Sequence, residues 1–130
     1  MSTRAVYTFI SKSDWGLQEV HIYKHHDGYP IGGIDFIDMA SRGASSTDVP
    51  KRDLLVANFI IENRNEGLIE ITSHWKHHGD LEYRYEIEED LNIRIFELGF
   101  DSGDWSLIYE GHLDKFKDST LFKRIERGVA

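Results

Sequence analysis

The feature that most constrains this chain is a change of rhythm at Gly67. Before it, two stretches carry apolar residues at a spacing of about 3.6, the period of an amphipathic helix; after it, apolar and polar residues alternate, the period of a strand with one buried face. "IGGIDFIDMASRG" sets Ile34, Ile37 and Ala40 at helical spacing, between Pro30 and Gly43. "KRDLLVANFIIENRN" turns Leu54, Leu55, Phe59 and Ile60 to one side, behind the cap types Thr47 and Asp48 and the first-turn Pro50. This second helix is expected to end near Asn65 and Gly67.

Strands account for most of the remainder. "RAVYTFIS" and "LQEVHIYK" flank the polar turn "KSDWG" and predict a hairpin. Beyond Gly67, "LIEITSHW" and "LEYRYEIE" predict a second hairpin around "HHGD", and "LNIRIFEL" and "WSLIYEGH" continue it as a meander through "GFDSGD". "LDKFKDSTLFKRIERG" predicts a terminal helix interrupted at Asp118 and Ser119. The sum is one α+β domain over residues 1–130: an antiparallel sheet, made of an N-terminal hairpin and a C-terminal meander, with about three helices packed on one face.

Composition narrows the function classes. The 130 residues are 40% hydrophobic and include three Trp, six Tyr and seven Phe, enough for one real core. A net charge of −8 argues against generic nucleic-acid binding, which draws its affinity from clustered Lys and Arg. No apolar run approaches the roughly 20 residues of a membrane helix, and the start lacks a signal-peptide pattern. The absence of cysteine excludes disulfides and thiolate chemistry, so a cytoplasmic protein is expected. A homodimer is the default assembly for an intracellular chain of this kind.

Candidate functional residues gather at "YKHHDGYPIGG". His25 and Asp27, one residue apart at a strand end, can point the same way, beside a glycine and ahead of Tyr29 and the helix-starting Pro30. A structural turn explains the same residues, with Asp27 as a helix cap. Arg4, near Lys24 on the partner strand, could clamp an anion with its forked donors, or simply pair with a carboxylate. Ser2 could act as an N-terminal nucleophile if Met1 were removed. His74, His77 and His78, with Asp80, form a second histidine-rich turn, but no metal-ligand spacing is present, so no metal or cofactor is expected. In "EYRYE", Tyr83 and Tyr85 lie on one face and Glu82, Arg84 and Glu86 on the other.

Two segments carry a likeness. "MSTRA" followed by "YKHHDGYPIG", and later "HGDLEYRYEI" with "IRIFEL" after it, resemble a widespread family of small phage and bacterial proteins. That family opens with Met-Ser-Thr-Arg and carries Tyr-x-His-x-Asp-Gly-Tyr-Pro-x-Gly and His-Gly-Asp-x-Glu-Tyr-x-Tyr-x-Ile. The resemblance implies a shared fold and marks Arg84 and a tyrosine ring such as Tyr83 as groups that could hold the phosphate and base of a nucleotide.

The leading expectation is a non-catalytic, phage-type accessory protein that binds a small anionic ligand, such as a signalling nucleotide sequestered in counter-defence. The residues named for it are Arg4, Lys24, His25, Asp27, Tyr29, Asp80, Tyr83 and Arg84. The alternatives are a small hydrolase using Ser2 or a His25 and Asp27 pair, and an inhibitor whose acidic surface, including Glu82, Glu86, Glu88 and Glu89, meets a basic partner.

Overall fold

The computed structural model describes residues 3–13, 16–42, 51–63 and 69–126. Ser2, the expected caps Thr47 and Asp48, Pro50 and the predicted end of the second helix lie outside them. Six strands form one sheet: β1 (Ala5–Ser13), β2 (Gly16–Lys24), β3 (Ile69–Thr72), β4 (Tyr83–Glu88), β5 (Asn92–Leu98) and β6 (Trp105–His112). Three α-helices accompany them: α1 (Pro30–Arg42), α2 (Lys51–Asn63) and α3 (Thr120–Glu126). This is the expected α+β domain, and the described residues contain no helix long and apolar enough to cross a membrane.

The strand order β3-β2-β1-β4-β5-β6 departs from the predicted pairing in two places. β1 and β4 run parallel, with Tyr7 beside Tyr85, so the sheet is mixed rather than antiparallel. The predicted hairpin between β3 and β4 does not form: β3 pairs with β2 at one edge, while β4 enters the centre beside β1. The cause is burial on both faces of β1. Every residue from Ala5 to Ile10 is buried, so this strand needs a neighbour on each side and cover above and below. The N-terminal hairpin and the β4-β5-β6 meander form as predicted.

The helices cover one face. Ile34, Ile37 and Ala40 of α1 and Leu55 and Phe59 of α2 meet Ala5, Tyr7, Phe9, Ile22, Tyr85, Ile87, Ile93 and Ile95 of the sheet. Phe59 packs on both Tyr7 and Phe9, at 4.7 and 5.4 Å between ring centroids. Towards the C-terminus, a six-residue 3-10 helix (Leu113–Asp118) buries Leu113 and Phe116 against the same core. Ser119 then stops one helix and starts the next. Its hydroxyl donates to the Phe116 carbonyl and accepts the Phe122 N–H, which explains the interruption read at that point.

Candidate functional site

Strand alternation sends the other half of each strand to the face away from the helices. Here His21 and Tyr23 of β2, Val6 and Thr8 of β1, Arg84 and Glu86 of β4, and Arg94 and Phe96 of β5 lie side by side. The segment between β3 and β4 covers part of this row. Its predicted strand stops at Thr72 because the His74 imidazole accepts the Lys76 N–H and winds Trp75–His77 into a 3-10 turn. That turn lays Trp75 against the sheet, where Val6, Tyr23 and Leu81 form a small second core with Trp75 and Trp105.

Arg84 lies within this aromatic cover. Its guanidinium carbon is 4.0 Å from the Trp75 ring centroid, 4.7 Å from Phe96 and 4.9 Å from Trp105. The side chain is 12% exposed and its nearest carboxylate, Glu86, stands 4.0 Å away. Burial lowers its pKa from the ordinary value, opposed by the Glu86 charge, yet a guanidinium keeps its proton at any pH of interest. Ring faces here take over part of what water would supply. Beside it, Arg94 donates to Glu86 at 2.7 Å and Glu88 at 3.1 Å, so two of the carboxylates expected to display acidity are engaged within the sheet.

The two motif segments meet at the end of β2. The Tyr23 hydroxyl donates to both oxygens of Asp80, at 2.8 and 3.0 Å, across 57 positions of sequence. The His78 imidazole stacks on the Tyr23 ring at 3.9 Å, and His25 meets that ring edge-on at 4.4 Å. Burial, and then the bond to Asp80, push the Tyr23 pKa up to about 12. Arg4 joins the group through Asp80, with Nε 3.0 Å from Oδ2 and a side chain 39% exposed. That Nε is nevertheless buried and meets no acceptor along its N–H, so the pair is an ion contact rather than an aligned hydrogen bond. His25 also approaches Glu70 of β3 at 3.4 Å.

The rest of the "DGYPIGG" stretch serves the opposite face. Asp27, not Gly28, takes the left-handed conformation, at φ 58°, a geometry that Asp tolerates better than most residues. Gly28 is required for space: a Cβ there would lie 2.6 Å from the Ala5 Cβ. Gly33 is as tight, 2.5 Å from the Tyr85 ring and hydroxyl. The Tyr85 hydroxyl donates to the Gly28 carbonyl at 2.5 Å, a second link between the motifs. Buried and stacked on one another at 4.7 Å, Tyr7 and Tyr85 both have strongly raised pKa values, chiefly through burial.

The eight predicted site residues therefore do not form one set. Arg4, His25, Asp80 and Arg84 lie on the outer face. Lys24, 1% exposed, points to the helix side, where its ammonium sits 4.3 Å from the Phe36 ring centroid. The sheet separates it from Arg84, and it cannot share a small ligand with that residue. Asp27 also belongs to the helix side, where its charge contributes to the raised pKa of Tyr7. Tyr29 is 46% exposed at the start of α1. Tyr83 lies on the helix side and bonds Glu97 at 3.0 Å. Among the described residues no hydrogen bond joins His25 to Asp27, and none of the five described cavities is lined by His25, Asp27 or Arg84.

Sequence reasoning placed His78 only in a histidine-rich turn, and missed Tyr23 and the aromatic cover of Arg84. Tyr23 and His78 were visible as motif residues, but only tertiary contact makes them partners. Among the described residues no group of three or more His, Asp or Glu side chains is placed to hold a metal ion. Compared with protein-family models, curated proteins and solved structures, the chain matches none, and its geometry carries the functional reading.

Proposed function

We propose that the protein is a non-catalytic accessory protein that captures a small anionic ligand with a flat ring, a nucleotide being the class that fits. The ligand lies on the outer face beside Arg4, Tyr23, His25 and His78. The observation that supports this reading is the meeting of the two motif segments: a stacked Tyr23 and His78 pair, with His25 at its edge and the half-exposed Arg4 guanidinium linked through Asp80. Tyr23 is 2% exposed under His78, so the base contacts fall to the His25 and His78 imidazoles, and the Arg4 guanidinium fork holds a phosphate. Asp80 keeps the Tyr23 hydroxyl, whose one proton lies between the two carboxylate oxygens, so Arg4 can turn to a phosphate without stranding the carboxylate. Arg84, enclosed by Trp75, Phe96 and Trp105, is left out of the ligand contact. Sequestration of a signalling nucleotide by a phage-type protein is the biological form of this reading, and a homodimer is its default assembly.

Thermal unfolding with a panel of mono-, di- and cyclic dinucleotides tests it. A ligand at a hundredfold excess over its Kd adds about 2.7 kcal/mol and raises Tm by several degrees. The shift should vanish in Arg4→Gln, whose own Tm stays close to that of the parent. A flat response to every nucleotide at millimolar concentration sinks the proposal.

A further inference from the structure

The strap from Ser73 to Asp80 joins β3 to β4 and lays Trp75 on Arg84. It is held closed largely by imidazoles. His74 Nδ1 accepts the Lys76 N–H at 3.1 Å, Ser73 and the His77 ring share a hydrogen bond at 2.8 Å, and His78 lies on Tyr23 with its Nε2 buried and without a hydrogen-bond partner. These rings differ in what a proton does to them. A hydroxyl can accept as well as donate, so Ser73 can follow a proton gained by His77, and Thr8 one gained by His21. The Lys76 N–H can only donate. A doubly protonated His74 has no acceptor to offer it, and two N–H groups then face each other where one bond held the turn. His78 in the same state carries a buried N–H with nothing to receive it.

The charges around His74 do not offset this loss. On β2, the His21 ring centroid is 5.4 Å away, and Glu19 is already 3.2 Å from His21 Nε2. Burial first, and His74 with it, lower the His21 pKa against the pull of Glu19, so a proton on either ring opposes one on the other. On β4, beneath Trp75, Arg84 is a fixed cation, and Glu86 is held by Arg94 at 2.7 Å. The strap itself adds His77, His78 and Lys76, whose ammonium is 5.6 Å from the Trp75 ring centroid. Asp80, at the far end, is engaged by Tyr23 and Arg4.

We propose that the strap is a proton-operated lid: at neutral pH the His74 cap holds Trp75 over Arg84, and in mild acid the cap is lost, the 3-10 turn unwinds and the Arg84 guanidinium is bared to solvent. A phosphate or carboxylate then reaches forked donors that the rings cover at neutral pH. The lid is a property of the free protein and does not rest on nucleotide capture, although the strap also carries His78 and Asp80 of that cluster.

Proton and nitrogen chemical shifts of the full chain, followed without ligand from about pH 7.5 to about pH 5, test this. The Arg84 Nε–H sits among the ring currents of Trp75, Phe96 and Trp105, so it should move towards its solvent-exposed position together with the Trp75 indole N–H. The Phe59 and Ile95 amides, in the covered core, should stay in place. His74→Asn supplies a capping acceptor that takes up no proton, and should hold both signals at their neutral positions throughout. His74→Ala, with no acceptor, should show the acid positions already at neutral pH. The proposal is overturned by a static Arg84 signal in the parent, by an acid response that persists in His74→Asn, or by neutral positions retained in His74→Ala. Core amides that collapse in step with the strap would also overturn it, because acid would then be unfolding the whole domain.

Discussion

On the helix-covered face, Tyr7, Phe9, Ile22, Tyr85, Ile93 and Ile95 are sealed under α1 and α2, while on the outer face the same strands carry His21, Tyr23, Arg84, Glu86 and Arg94 under a thin cover of indole rings. The first face is close-packed and apolar. The second holds its charges by pairing them with rings and with one another. The difference teaches where each half of the "YKHHDGYPIGG" stretch belongs: Asp27, Gly28 and Gly33 lock α1 onto the core, whereas Tyr23 and His25 build the outer cluster. A motif that reads as one site divides, on folding, into a structural half and a chemical half.

The division can be broken experimentally. The largest expected effect is on the covered face, where Phe59→Ala removes a fully buried ring packed on Tyr7 and Phe9 and should cost about 3–5 kcal/mol in urea unfolding. Trp75→Ala, which strips the half-exposed cover from Arg84, should cost well below that. Equal losses would show that both faces carry the fold alike.

Gly33→Ala comes next. Its new methyl meets the Tyr85 ring and hydroxyl, which are buried and tied to Gly28, so overpacking should cost about 1–3 kcal/mol. Nucleotide response on the outer face should survive in the folded fraction, read from the same thermal shifts.

The smallest effect concerns pH on the outer face. The Glu19 carboxylate can only accept, so neutral His21 carries its proton on Nε2, 3.2 Å from Glu19, and accepts the Thr8 hydroxyl at Nδ1, 2.8 Å away. Burial lowers the His21 pKa below 6.5, with Glu19 opposing and nearby His74 assisting. Between the folded value and 6.5, the unfolded chain therefore binds the extra proton. This contribution to stability is whole above 6.5 and is lost as pH falls through 6.5 towards the folded pKa. Urea midpoints measured against pH should fall less steeply in His21→Gln than in the parent. Superimposable slopes would remove His21 from the account.

Much of the covered face was legible before folding, because its determinants are local. Helical spacing in α1 and α2 named Ile34, Ile37, Ala40, Leu55 and Phe59, which are buried, and Leu54 and Ile60, which are partly buried at the edge of the same core. The Asp118 and Ser119 break was readable because a cap acts within one turn. Burial of β1 on both faces was readable as well, though not which strand would pair with it. "AVYTFI" is a nearly continuous apolar run, and that marks a strand buried on both faces. Alternation in "LEYRYEIE" correctly separated Tyr83 and Tyr85 from Arg84 and Glu86.

By itself, then, the sequence determined the element types, the face that each side chain would take within its own element, and the turn chemistry, since these depend on neighbours a few residues away. Tertiary structure alone decided which strands adjoin, that Lys24 and Arg84 stand on opposite sides of the sheet, and that Tyr23 meets His78 and Asp80. Such contacts depend on how six strands share one core. Burial on both faces of β1 outweighed the short connection between β3 and β4, and a hairpin suggested by proximity gave way to a central strand that needed two neighbours.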